Sequence, residues 1–277
     1  MPTRGGDEFQ MMVFRTTHAD ALHAAGRREE AWSAFADTER RQKQLQPGSP
    51  LLYSVQGYQY CDLMLCKGQH AAVRDRALQT LAWFSEQYPL LSRALDELTL
   101  GRAHLGLALA TVVPLRPAAA PEDTRTAHYR FREAVEGLRA AGTLDHLPRG
   151  VLARAAFRRS VGDWGGAERD LDEVEEIAEP GPMRLFLCDM ALERARLAFA
   201  NIEAFAPLNG LIDDSPPKPQ QPSEADRKTL HDEAAEQLAI AAGYIRTCGY
   251  HRRDEELAEL QAVLRGERVF ADLPPRV

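Results

Sequence analysis

Leu147 to Ala200 is the stretch that most restricts the fold. It reads as a helix, a tight turn at Gly162-Asp163, a second helix, a break at Pro180-Gly181-Pro182 and a third helix. Val151, Leu152, Ala155 and Ala156 precede the turn at helical spacing, and Ala167, Leu171, Val174 and Ile177 follow it. A hairpin of this kind has one apolar face and cannot bury it alone. It needs neighbours of the same shape stacked beside it.

The chain supplies those neighbours. Gly26-Arg27 separates Ala19 and Leu22 from Ala31 and Phe35, and Gly68-Gln69 separates Tyr58, Leu63 and Met64 from Val73, Ala77 and Leu81. Gly26 and Gly68 stand 42 residues apart, and Ala127 and Ala167 stand 40 apart. An alanine followed four residues later by a bulky apolar side chain recurs as Ala31/Phe35, Ala127/Phe131, Ala167/Leu171 and Ala234/Leu238. The small residue lets helices approach closely and the large one fills the gap beyond.

The expected hairpins occupy about residues 10–46, 50–87, 90–141, 147–179 and 183–247, with a terminal capping helix at 251–264 whose outer face is wet. Pro50 is placed at a first helical position, and Ser223 with Asp226 reads as a capping-box-like start. Proline-rich segments at Val113–Arg125 and Ile202–Ser223 read as loops, the second polar and mobile. The whole chain, 1–277, is expected to form one all-α domain of about eleven helices.

These features resemble the tetratricopeptide repeat, a unit of about 34 residues with a small residue midway along its first helix and Ala-x-x-x-Phe in its second. The helices here are longer and the tryptophan of the family's first helix is missing. The resemblance implies a right-handed superhelical solenoid of antiparallel helix hairpins. A narrower likeness is carried by HLPRG at 146–150, RDLDE at 169–173, MRL at 183–185 and LERARL at 192–197. LLYSVQGYQYCDL at 51–63 and GYHRRDEEL at 249–257 add to it. These segments look like the C-terminal tetratricopeptide sensor arrays of bacterial signal-transduction ATPases of the STAND/NACHT type. The sequence contains no G-x-x-x-x-G-K-[ST] phosphate loop, so the likeness implies the sensor portion alone.

In that family the first helices of successive repeats line an inner groove. Transfer by phase places Asp20 and His23 of the first repeat there, then Tyr58 and Asp62, then Leu98, Arg102 and Leu105. Arg149, Leu152 and Arg159 follow from the fourth repeat, and Asp189, Leu192, Arg196 and Phe199 from the fifth. The four arginines suit carboxylates or phosphates through paired hydrogen bonds. They could equally pair with Asp62, Asp189 or Glu193 and simply solvate the groove.

The sequence carries no H-E-x-x-H, no G-x-S-x-G and no glycine-rich dinucleotide loop after a strand, so no catalytic residue, metal or cofactor is expected. Cys61, Cys66, Cys188 and Cys248 form no C-x-x-C pair and read as small buried apolar residues. The net charge of −7 disfavours nucleic acid as a partner, although the basic residues are mostly arginine. No apolar run reaches the length of a membrane span, and MPTRGGDEFQ lacks the apolar core of a leader, which points to a cytoplasmic protein. The expected function is non-enzymatic recognition of a protein or peptide, as a sensor or adaptor. A peptide-responsive regulator and a homo-oligomerising structural module, using faces near Trp83 and Phe84, are the alternatives.

Overall fold

A computed structural model describes residues 4–83, 89–112, 120–214, 216–274 and 276. Eleven α-helices run through them, with no strand among the described residues. In order they are α1 (Arg4–Ala24), α2 (Arg28–Leu45), α3 (Ser54–Cys66), α4 (His70–Ala82), α5 (Leu90–Val112) and α6 (Ala120–Ala141). The rest are α7 (Leu147–Val161), α8 (Trp164–Ala178), α9 (Arg184–Glu203), α10 (Glu224–Cys248) and α11 (Asp254–Leu264). Short 3-10 turns cover His251–Arg253 and Phe270–Asp272.

The turns follow from local chemistry. Gly162 sits at φ 87°, a conformation a Cβ would strain, and its N–H caps the carbonyl end of α7. Asp163 then accepts the Gly166 N–H at 3.0 Å and starts α8. Ser223 caps α10 in the same way, accepting the Asp226 N–H at 3.2 Å. Two local expectations fail. α3 starts at Ser54 rather than at Pro50. Pro121 does not break a helix but is the second residue of α6, where its missing N–H costs nothing.

Consecutive helices pack in pairs: α1 with α2, α3 with α4, α5 with α6, α7 with α8, and α9 with α10. The first helices also touch in sequence, α1 to α3, α3 to α5, α5 to α7 and α7 to α9. The recurrent small and large residues form the seams between them. Ala31, Phe35, Ala127, Phe131, Ala167, Leu171, Ala234 and Leu238 are all buried.

The segment between α9 and α10 is not the loose loop its composition suggests. Leu208 is fully buried and donates its N–H to the Ser160 carbonyl at 2.9 Å. The Asn209 amide donates to the Val161 and Pro216 carbonyls at 3.0 and 3.1 Å. This pins the polar stretch to the end of α7. Within the other proline-rich segment, 113–119 lie outside the described residues, as does Phe84.

The capping helix also departs from expectation. The 3-10 turn ahead of α11 reaches the first hairpin of the chain. Gly26, at φ 78°, lets this approach happen: a Cβ there would lie 3.2 Å from the His251 carbonyl carbon. Arg28 of α2 donates to Glu255 of α11 at 3.4 Å. The two ends of the chain are therefore in contact.

Candidate functional site

Where the ends meet, the first helices surround a cavity of about 600 Å³. α1 contributes Asp20 and Ala24, and α3 contributes Tyr58 and Asp62. α5 reaches in with Arg102 and α7 with Arg149, Leu152, Ala153 and Ala156. α9 supplies Phe186, Asp189, Glu193 and Arg196, and the C-terminal elements add Tyr250, Arg252, Arg253, Glu256 and Arg276. Asp145, Met183, Arg184 and Leu185 stand at its rim, where Asp145, Arg184 and Leu185 are exposed.

The inner wall is a chain of arginine–carboxylate bonds. Asp62 accepts from Arg102 at 2.7 Å and from Arg252 at 2.6 Å. Arg252 and Asp62 are separated by 190 residues, so this bond ties the last helices to the second hairpin. Arg252 also contacts the His23 ring nitrogen at 3.3 Å. Asp189 accepts from Arg253 at 2.8 Å and from the Tyr250 hydroxyl at 3.1 Å. Glu256 is held by Arg253 at 2.8 Å and by Arg196 at 2.5 Å, and Arg159 donates to Glu193 at 2.6 Å.

Burial works against the charges of Asp62, Glu256, Arg252 and Arg253, and the pairing decides the outcome. Burial alone would raise the Asp62 carboxyl, but Arg252 and Arg102 hold it well below the usual range. Glu256 is likewise buried, yet Arg196 and Arg253 bring it down to about 2. Arg252 and Arg253 are kept charged far into alkaline pH by Asp62 and Asp189, despite desolvation. For His23 the balance falls the other way: burial and the nearby Arg252 lower it to about 4 against the upward pull of Asp62, so the imidazole is neutral at pH 7.

Two charges stand apart from this network. Arg149 lies between two aromatic faces, 5.4 Å from the Tyr58 ring centroid and 5.3 Å from that of Phe186. Its Nε has no hydrogen-bond partner, and no carboxylate of the described residues lies within ion-pair distance. Asp20 is the second. It accepts from the Gln59 amide at 3.1 Å but takes no arginine contact. Burial and the neighbouring Asp62 raise its carboxyl above the usual value.

Of the expected groove residues, Tyr58, Asp62, Arg102, Arg149, Leu152, Asp189 and Arg196 line this cavity, and so does Asp20. Leu98 and Leu105 do not; both are fully buried in the main core. α5 packs against α3, α4 and α6 at once, so its inner stripe is covered and only a side chain as long as Arg102 reaches the cavity. Phe199 lies in a second core against Phe270, with ring centroids 6.0 Å apart. Arg159 is buried on Glu193 and over the Phe270 ring, at 5.9 Å, outside the lining. Leu192 and His23 are fully buried. Among the described residues, the segment 204–223 contributes none of the lining.

The residues missed were Phe186 of α9 and those of the C-terminal cap, Tyr250, Arg252, Arg253, Glu256 and Arg276. The signal of the cap was the run Arg252-Arg253 next to buried Tyr250, which a solvated cap does not need. Cys61 and Cys188 are buried as expected, Cys66 is exposed and Cys248 is partly buried on the cavity wall. No helix of the described residues is long and apolar enough to cross a membrane. No family model, curated protein or solved structure matches the chain.

Proposed function

We propose that this chain is a recognition protein of the tetratricopeptide type, a superhelical array of helix hairpins whose ligand sits inside the array. It acts as a sensor or adaptor in bacterial signalling, without chemistry of its own. The contact of first helices in sequence, α1 to α9, supports the superhelix. The observation that carries the ligand site is Arg149, a cation held between Tyr58 and Phe186 in a cavity drawn from every hairpin, with no carboxylate of the described residues in ion-pair contact with it. A volume of about 600 Å³ suits a small molecule or a few residues of peptide. It is too small for a folded partner, so a protein would be recognised through a short extended segment.

Cys248 and Cys66 make the test internal. A random pentapeptide library at millimolar concentration should slow alkylation of Cys248 on the cavity wall and leave exposed Cys66 unchanged. Equal rates at Cys248 with and without the library would refute the reading.

A structural association module is favoured by a different observation. Phe9, Met11, Phe14 and Leu45 are exposed on the first hairpin, and Phe14 is 66% accessible. Met11 and Leu45 line one shallow pocket there, an apolar surface of the kind that partners cover. A mass that rises with concentration in wild type and not in Phe14→Glu would support it. Trp83 is only partly buried and carries no comparable patch in the described residues.

A further inference from the structure

The cavity wall follows a rule with one exception among its buried and partly buried acids. Asp62, Asp189, Glu193 and Glu256 each accept from at least one arginine. Asp20 faces the same space, close enough to Asp62 for the two charges to repel, and among the described residues only a neutral amide donates to it. A carboxylate left in this state is costly to the free protein, and its environment favours an incoming cation. Arg149 is the converse: a cation with two aromatic faces and no carboxylate contact among the described residues. The two charges interact across the cavity without forming an ion pair. The gap between them is a site with a negative pole and a positive pole.

We propose that Asp20 anchors an ammonium group, so that the ligand of this cavity is a small zwitterion with its amino group at Asp20 and its negative group at Arg149. Free amino acids and short peptides with an unblocked amino terminus share this chemistry. The ligand's ammonium donates to the Asp20 carboxylate while Gln59 holds the other side of that group. Leu152, Ala153 and Ala156, which line the same cavity, offer a surface to the ligand's apolar part. Because burial and Asp62 already raise the Asp20 carboxyl, a bound cation should bring it down, and binding should weaken as the pH falls toward the range where Asp20 protonates. The charged groups nearest Asp20 are Asp62, Arg149 and Arg252, and all three remain ionised near neutral pH.

The inference rests on the reading that the cavity binds a ligand, and the experiment separates the two. Three tripeptide pools would be titrated by calorimetry into the full chain: unmodified, N-acetylated and C-amidated, with a pool of free amino acids alongside. The unmodified pool should bind, and N-acetylation should weaken it about tenfold or more, the usual worth of one charge-assisted hydrogen bond. Asp20→Asn should bind the unmodified and acetylated pools alike while remaining folded, since it removes a carboxylate that the free protein pays to keep. If acetylated and unmodified pools bind wild type equally, the ammonium anchor is wrong and the cavity reading survives. If no pool binds, both fall. Binding by the amino-acid pool alone would identify the free amino acid, and binding by the tripeptides alone the peptide terminus.

Discussion

Asp62 carries the closure of the chain, and its replacement by Asn is the perturbation that exposes it. The carboxylate is 7% accessible and accepts from Arg102 at 2.7 Å and Arg252 at 2.6 Å. Asn keeps the shape and removes the charge. The buried Arg102, the partly buried Arg252 and the neutral His23 would then face one another without that anion between them. Losing one member of a buried ion pair costs about 3–5 kcal/mol, because the partner is left charged and dry. Arg252→Gln is the milder change: Asp62 keeps Arg102, so the loss should be about 1.5–3 kcal/mol. The double variant should lose about 1–3 kcal/mol less than the two single losses combined, since the second change relieves what the first left unpaired. Urea unfolding followed by circular dichroism at pH 7 would measure all three. The Asp62 carboxyl is held well below its usual range, so its contribution is present above the unfolded value near 4 and lost only as pH falls through the lower folded value. Wild type and Asp62→Asn should therefore converge only in strong acid. A loss below about 1 kcal/mol for Asp62→Asn, or strict additivity with Arg252→Gln, would refute the reasoning.

Other consequences can be checked in the same way. His23 is lowered to about 4 from an ordinary 6.5, so its contribution is full above pH 6.5 and fades as pH falls toward 4. Relative to His23→Gln, wild type should lose about 3 kcal/mol across that window in a pH series of urea midpoints. Asp96 behaves oppositely: burial raises it to about 7, even though the Thr80 hydroxyl donates to it at 3.0 Å. Its cost grows from pH 4 to pH 7, so Asp96→Asn should stabilise by about 2–4 kcal/mol at pH 8 and hardly at all at pH 4. Gly101→Ala places a Cβ 2.9 Å from the Phe131 ring in a fully packed seam, and thermal unfolding should show a loss of about 1–3 kcal/mol.

How much of this could be read from the sequence depends on the range of the interaction. The seams were legible because Ala127/Phe131 and Ala167/Leu171 encode burial locally, through spacing that any helix imposes. The turn at Gly162-Asp163 was legible for the same reason. The inner stripe was only partly so. Phase alone cannot tell Arg102, which reaches the cavity, from Leu98 and Leu105, which a third helix covers. Leu208 was hidden inside a stretch whose polar composition outvoted one apolar anchor. Closure was illegible: nothing in the periodicity says that Arg252 will meet Asp62. That contact turned an expected open groove into a walled cavity and a wet cap into one of its walls.

The claim on which the account rests is that the two ends meet around the cavity, and a distance between them tests it most directly. Spin labels at positions 28 and 255, in a chain whose four native cysteines are replaced by serine or alanine, would report it by pulsed electron resonance. Arg28 and Glu255 touch at 3.4 Å, so the account predicts one narrow population within about two helix diameters, roughly 20–25 Å. A broad distribution centred beyond about 40 Å, as for an open row of five hairpins at 8–10 Å per helix step, would contradict it.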